Sequence, residues 1–121
     1  MERLKGEVRE ELFNILNFWQ MRMPDEKRGG FIGRVDAFGR IDKEATKGSV
    51  LNARILWAFS SACNTLKSDR YREMANRAFN YIIENFLDKE HGGVYWELDA
   101  NGKPVNTKKQ VYAQAFVIYA L

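Results

Sequence analysis

Few side chains in this sequence can move a proton or hold a metal near neutral pH. His91 is the single histidine and Cys63 the single cysteine. A tetrahedral zinc site needs several nitrogen or sulfur ligands, and no carboxylates stand at helical spacing with these two, so no metal site is expected. His91 directly precedes Gly92-Gly93 at the exit of a helical run and reads as a loop residue beside a hairpin. Cys63 lies in an apolar helical stretch without a disulfide partner, and reads as a small buried hydrophobe in a reducing compartment. Asp36 and Asp99 each open a glycine-containing turn, where a short carboxylate bonds the local backbone, so turn geometry explains them better than acid catalysis. Two further polar groups stand out by context: Arg54, which interrupts an apolar helix, and Tyr112, which on its own reads as core.

Helices must carry these groups. From Leu4 to Trp19 the residues Leu4, Val8, Leu12, Ile15, Leu16 and Trp19 recur at three- and four-residue steps, the mark of an amphipathic outer helix that ends before Pro24. Phe31 to Arg40 reads as a short strand running into a tight turn. From about Lys47 to Cys63 the sequence is apolar almost all round, which predicts a helix buried on most sides. Ser68 or Asp69 caps a second outer helix, with Tyr71, Met74, Ala75, Ala78, Phe79, Ile82, Ile83 and Phe86 on its stripe. Val94 to Lys103 then repeats the strand and turn, with Asn101-Gly102 as a strong hairpin dipeptide.

The second half repeats the first. Gly29-Gly30 and Gly92-Gly93 lie 63 residues apart, and the same offset pairs Asp36 with Asp99, Gly39 with Gly102 and Arg40 with Lys103. Dropping three residues in the next loop aligns Ala53-Arg54-Ile55-Leu56 with Ala113-Gln114-Ala115-Phe116. The unit is outer helix, hairpin, inner helix, with repeat 1 at about 1–66 and repeat 2 at about 67–121. The expected class is all-α, about four helices with two short β-hairpins. Such units bury their apolar faces only against further copies. Val111 to Leu121 runs apolar to the last residue without a glycine cap or basic last turn, so the reading is the N-terminal part of a single larger α/α-barrel domain, whose open inner helices favour self-association.

Composition narrows the class. Charged residues make up 29% and the formal charge of +3 is spread along the chain, so no basic patch tracks a phosphate backbone and no nucleic acid is expected as a partner. No stretch reaches the roughly 20 apolar residues of a membrane span, and the mixed-charge start does not resemble a signal peptide. A cytoplasmic protein is expected.

Several ordered blocks carry a resemblance. Gly29-Gly30-Phe31 with Gly33-Arg34-Val35-Asp36 comes first, then Lys47-Gly48 with Leu51-Asn52-Ala53-Arg54-Ile55-Leu56-Trp57. Gly92-Gly93-Val94-Tyr95-Trp96 and Thr107-Lys108-Lys109-Gln110-Val111-Tyr112-Ala113-Gln114-Ala115-Phe116 complete the set. Together they resemble the cellobiose 2-epimerases of the N-acylglucosamine 2-epimerase family over nearly the whole chain. The resemblance implies an α/α barrel of six helical hairpins, of which this chain is roughly the first third.

It also implies a carbohydrate 2-epimerase, an isomerase that turns the reducing-end glucose of cellobiose into mannose without a cofactor. The sugar opens, a base removes the carbon 2 proton to give a cis-enediolate, and an acid returns a proton to the other face. That chemistry needs groups with pKa values near the working pH and donors for the oxyanion. In the family two histidines from later parts of the barrel do the transfers, so no catalytic residue is expected in this chain and the chain alone is expected to be inactive. Arg54 matches the arginine that reaches the sugar oxygens near the reacting carbon, where a guanidinium fork suits an enediolate better than lysine. Tyr112 matches the tyrosine that lines the same pocket. Trp57, Trp96, Phe31 and Tyr95 are assigned to the core and to hairpin anchoring. The alternatives are an N-acylglucosamine 2-epimerase or mannose isomerase and, in another class, an α/α-barrel glycoside hydrolase or a non-enzymatic sugar-binding or assembly module.

Overall fold

The computed structural model describes residues 1–121. Helix α1 (Glu2–Arg22) follows the periodic stripe, with Glu2 in its first turn and Arg22 in its last to complement the helix dipole. Pro24 sets its end. Only Leu16 on the stripe is buried, while Leu4, Val8, Leu12 and Ile15 are exposed. Helix α2 (Ser49–Leu66) buries Ser49, Asn52, Ala53, Ile55, Leu56, Phe59 and Ala62, as its nearly unbroken apolar run requires. Lys67 closes it in the left-handed region at φ 54°, a conformation that costs about 1 kcal/mol and lets Ser68 start the next helix at once.

Helix α3 (Asp69–Tyr81) runs on through a wide π-helical turn, Ile82–Phe86. Asn85 donates its side-chain amide to the Tyr81 carbonyl at 3.3 Å, competing with the regular ladder there. On this helix the expected stripe needs a correction. Phe79 is 43% exposed and Tyr81 is buried instead, because the Tyr81 ring covers Gly30 of the first hairpin loop. A Cβ at Gly30 would meet that ring at 2.7 Å.

The strands are short. β1 (Arg34–Val35) pairs antiparallel with β2 (Ile41–Asp42). β3 (Lys47–Gly48), β4 (Glu97–Leu98) and β5 (Pro104–Asn106) form a three-stranded sheet, in which β3 of the first unit pairs with β4 of the second and joins the two. Both hairpin turns have one form: the aspartate carbonyl accepts from the glycine N–H three residues on, and its carboxylate caps two further N–H groups. Asn101-Gly102 thus makes a hairpin, but only Gly102 takes a positive φ, at 90°. The turn is a type I turn with a glycine bulge rather than the two-residue form, because the Asp99 cap stabilises the longer loop.

One motif is built twice. The Asp25 carboxylate accepts from the Lys27 and Arg28 N–H groups, and Lys47 Nζ donates to its other oxygen and to the Gly29 carbonyl, both at 2.9 Å. In the second unit Asp88 accepts from the Glu90 and His91 N–H groups, and Lys109 Nζ donates to Asp88 at 2.6 Å and to the Gly92 carbonyl at 2.7 Å. The short bridges Pro24–Phe31 and Leu87–Val94 recur at the same 63-residue offset. Lys47 and Lys109, like the first residues of α2 and of α4 (Val111–Ala120), lie 62 residues apart. One residue, not three, is therefore lost in the loop, because the lysine clamp ties each helix start to its hairpin. Arg54 then corresponds to Phe116.

Unpartnered apolar surface falls on α4 as expected, at Val111, Tyr112, Ile118 and Tyr119. On α2 it is confined mainly to Trp57, since α3 and α4 cover the rest, and the first half of α1 adds a stripe that was not expected. Removing one clamp partner should be costly. Asp25→Ala leaves the buried Lys47 ammonium unpaired and is expected to destabilise the chain by about 3 kcal/mol or more in urea unfolding, whereas Asp25→Ala with Lys47→Met recovers most of that loss.

Candidate functional site

A groove of about 770 Å³ runs between α1, α2 and α4. Ile15 and Trp19 of α1, Val50 and Trp57 of α2, and Phe116 and Tyr119 of α4 form its walls. Arg54 is the one charged residue among them. It is exposed and makes no ion pair or hydrogen bond, so all five of its donors are free. A planar fork of donors among apolar walls can bind vicinal oxygens or an oxyanion two at a time, in surroundings that strengthen the interaction.

The aromatic lining suits a ligand with apolar faces. Trp57 stacks on Tyr119 with centroids 6.2 Å apart and planes inclined by 25°. Trp57 is therefore a groove residue, 46% exposed, and not a core residue; it lines the groove with Arg54, where Tyr119 of α4 covers only part of it. Phe31 is fully buried, and the Trp96 carbonyl accepts from the Ser49 N–H and Oγ at the entry of α2, as expected of core and hairpin residues. Tyr112 stands apart. It lies in the first turn of α4, 59% exposed, and reaches the groove only through Phe116, whose ring it meets edge-on at 4.8 Å. His91 is on the loop as expected, its Nδ1 3.5 Å from Asp88 and its side chain 72% exposed.

With this geometry, a sequence profile of the N-acylglucosamine 2-epimerase (GlcNAc 2-epimerase) family matches residues 30–121. The chain belongs to that family. It is 50% identical over 121 residues to the cellobiose 2-epimerase of Bacteroides fragilis, covering 99% of this chain and 31% of that protein. It is 44% identical over 117 residues to the cellobiose 2-epimerase of Ruminococcus albus, covering 96% of this chain and 30% of the relative. The solved cellobiose 2-epimerase from Bacillus thermoamylovorans B4167 superposes with a TM-score of 0.95 at 40% identity, over 99% of this chain and 31% of that one. The chain thus spans about a third of the length of the relatives it matches. Those neighbours are α/α barrels, so the fold expected from the helical-hairpin repeat is the fold of the family.

Within this member of the N-acylglucosamine 2-epimerase family, the residues that aim Arg54 are the ones that sequence reasoning passed over. Lys47 begins the segment that leads into α2 two helical turns before Arg54, and Asp25 fixes Lys47. A signal was available: Asp-x-x-x-Gly-Gly occurs at Asp25 and again at Asp88, with a lysine following each at nearly the same distance. Both aspartates lie four residues ahead of the Gly-Gly pairs that mark the repeat.

The clamps have a pH signature. Burial pushes the Asp25 carboxyl up, but the Lys47 ammonium and the Arg28 and Lys27 N–H donors outweigh it and hold it below the ordinary 3.8. Lys109, with the His91 N–H, holds Asp88 far lower. The Arg40 N–H and guanidinium lower Asp36. Burial, with the charges of Asp25 and Asp99, pushes the Tyr81 phenol up to about 12. Carboxylates depressed on folding contribute stability above their unfolded pKa and lose it as pH falls through the folded value. Melting temperature is expected to hold from neutral pH down to about pH 5 and to fall steadily below about pH 4, and Asp88→Asn should flatten that acid limb in melts recorded across the range.

Proposed function

We propose that this chain is the N-terminal part of a single α/α-barrel carbohydrate 2-epimerase, divided into repeats at about 1–66 and 67–121, and that it supplies substrate-binding groups to a sugar pocket. The substrate is a reducing-end glucose unit, as in cellobiose, converted to mannose through a cis-enediolate in the cytoplasm. The observation that carries this reading is Arg54, an unpaired guanidinium among aromatic walls in a chain that is 50% identical to a cellobiose 2-epimerase. Its fork donates to the oxygens at carbons 1 and 2 and stabilises the charge that develops when the carbon 2 proton leaves. Tyr112 adds a hydroxyl donor and a ring face at the margin of the groove, behind Phe116.

Proton transfer needs a base and an acid flanking carbon 2. His91 is the only histidine, and its exposed loop position beside Asp88 leaves it outside the groove. The isolated chain is therefore read as inactive. Incubating it with cellobiose should give no glucosyl-mannose by chromatography, and turnover would overturn that part of the reading. The positive arm places residues 1–121 in the Bacteroides fragilis enzyme in place of the third they match. That chimera should epimerise cellobiose, and Arg54→Ala within it should lower kcat/KM by about 100-fold or more, with Arg54→Lys recovering little. Unchanged kinetics for Arg54→Ala would remove the arginine from the pocket.

The exposed faces of α1 and α4 favour self-association of the chain. Light scattering coupled to size-exclusion chromatography is expected to give a mass of at least twice 14.1 kDa, and a clean monomer would refute it.

A further inference from the structure

The clamp loop of the first unit is roofed by α3. Arg77 donates from Nε to the Gly30 carbonyl at 2.8 Å and from Nη2 to the Asp25 carbonyl at 2.7 Å. Tyr81, four residues on and thus on the same helix face, lays its ring on Gly30 and takes the Lys47 ammonium 5.1 Å from its centroid. Gly30 is buried as a result. The loop of the second unit has the same backbone. Asp88 donates its N–H to the Gly93 carbonyl at 2.9 Å and Gly92 donates to the Asp88 carbonyl at 2.8 Å, matching the 3.0 and 2.8 Å bonds of Asp25 and Gly29. These two carbonyls are held as their counterparts are, yet neither accepts a side-chain donor, and Gly92 and Gly93 are exposed.

We infer that the Asp88–Gly93 loop is a docking socket for an amphipathic helix of α3's kind, one that presents an arginine to these two carbonyls. The arginine forks onto the Asp88 and Gly93 carbonyls; no incoming ring is needed, since Gln114 Oε1 lies 2.9 Å from where a Cβ of Gly93 would stand and the Tyr95 ring already lies 5.1 Å from the Lys109 ammonium. In the longer family proteins, of which this chain spans 31%, a following hairpin supplies that helix. One difference between the loops sharpens the fit. Glu26 lies 4.0 Å from the Arg77 guanidinium, and its counterpart 63 residues on is Lys89. The incoming helix therefore carries a carboxylate near its arginine, to answer Lys89, where α3 needs none. This socket is independent of the sugar chemistry.

The chain itself contains a test helix. In the 62-residue register Leu121 stands at the level of Phe59, so appending a second copy of residues 60–86 after Leu121 places an α3 sequence against the second loop. The thermal midpoint of this extended chain is expected to rise by at least about 3 °C, and the amide signals of Gly92 and Gly93 should shift. Alanine in place of the appended arginine should cancel both effects. Titrating the native chain with a peptide of the Asp69–Phe86 sequence gives the same readout without altering the fold, with saturating shifts at Gly92 and Gly93 that an alanine-for-arginine peptide does not produce. Unmoved Gly92 and Gly93 signals, shifts confined to other surfaces, or equal shifts from the alanine peptide would overturn the inference.

Discussion

Lys47 has its ammonium fully buried between the Asp25 carboxylate and the Gly29 carbonyl, and most of the chain's order follows from what that burial demands. A lone ammonium taken out of water costs several kcal/mol, so the loop must bring a carboxylate and a carbonyl to it from the far side of the hairpin. The carboxylate is itself fixed by two backbone donors of its own turn. Loop 23–31, the entry to α2 and the Tyr81 ring of α3 are thereby brought to one point. An apolar set of the same volume could match the stability; the ion pair adds fixed donor and acceptor positions at this junction.

That dependence explains which features were legible in the sequence. Helices α1, α2 and α3 follow from periodicity, and the two hairpins from their glycines, because each signal is local. The clamp is not local. Asp25 and Lys47 are 22 residues apart and have the composition of a solvated surface, so each alone reads as polar loop. The three-residue gap placed between the units has the same origin: apolar helix residues align nearly as well at several offsets, and only the lysines select 62. Phe79 was preferred to Tyr81 on α3 because both satisfy a helical stripe, and Gly30, which decides between them, lies in another unit.

The site was legible in part. Arg54 stands out as a cation in an apolar helix, and the resemblance gave it a role, but neither told which neighbours surround it. The groove of Trp19, Trp57 and Tyr119 exists only when α1 and α4 flank α2, a relation of three distant segments. Trp57 reads as core in the sequence but is 46% exposed, because apolar context does not separate a side chain facing a helix from one facing a groove. Tyr112 illustrates the converse, since its ring reaches the groove only by way of Phe116.

Duplication within the chain separates frame from chemistry. Asp25 with Lys47 and Asp88 with Lys109 make the same bonds in both units, and Asp36 and Asp99 accept from the same two backbone N–H positions, which is what a frame requires. Arg28 and His91 occupy equivalent loop positions, and both donate a backbone N–H to the clamp aspartate while their side chains differ. The amide bond is what the two loops share; beyond it the Arg28 guanidinium donates to the Lys43 carbonyl and pairs with Glu44, whereas the His91 imidazole stays exposed beside Asp88. The contrast at Arg54 is of another kind. Its counterpart is Phe116, on an equivalent helix held by an equivalent clamp, so the frame is equally well served by an apolar ring. The guanidinium at that position makes no bond to the frame, and it leaves five donors free at the lining of the groove.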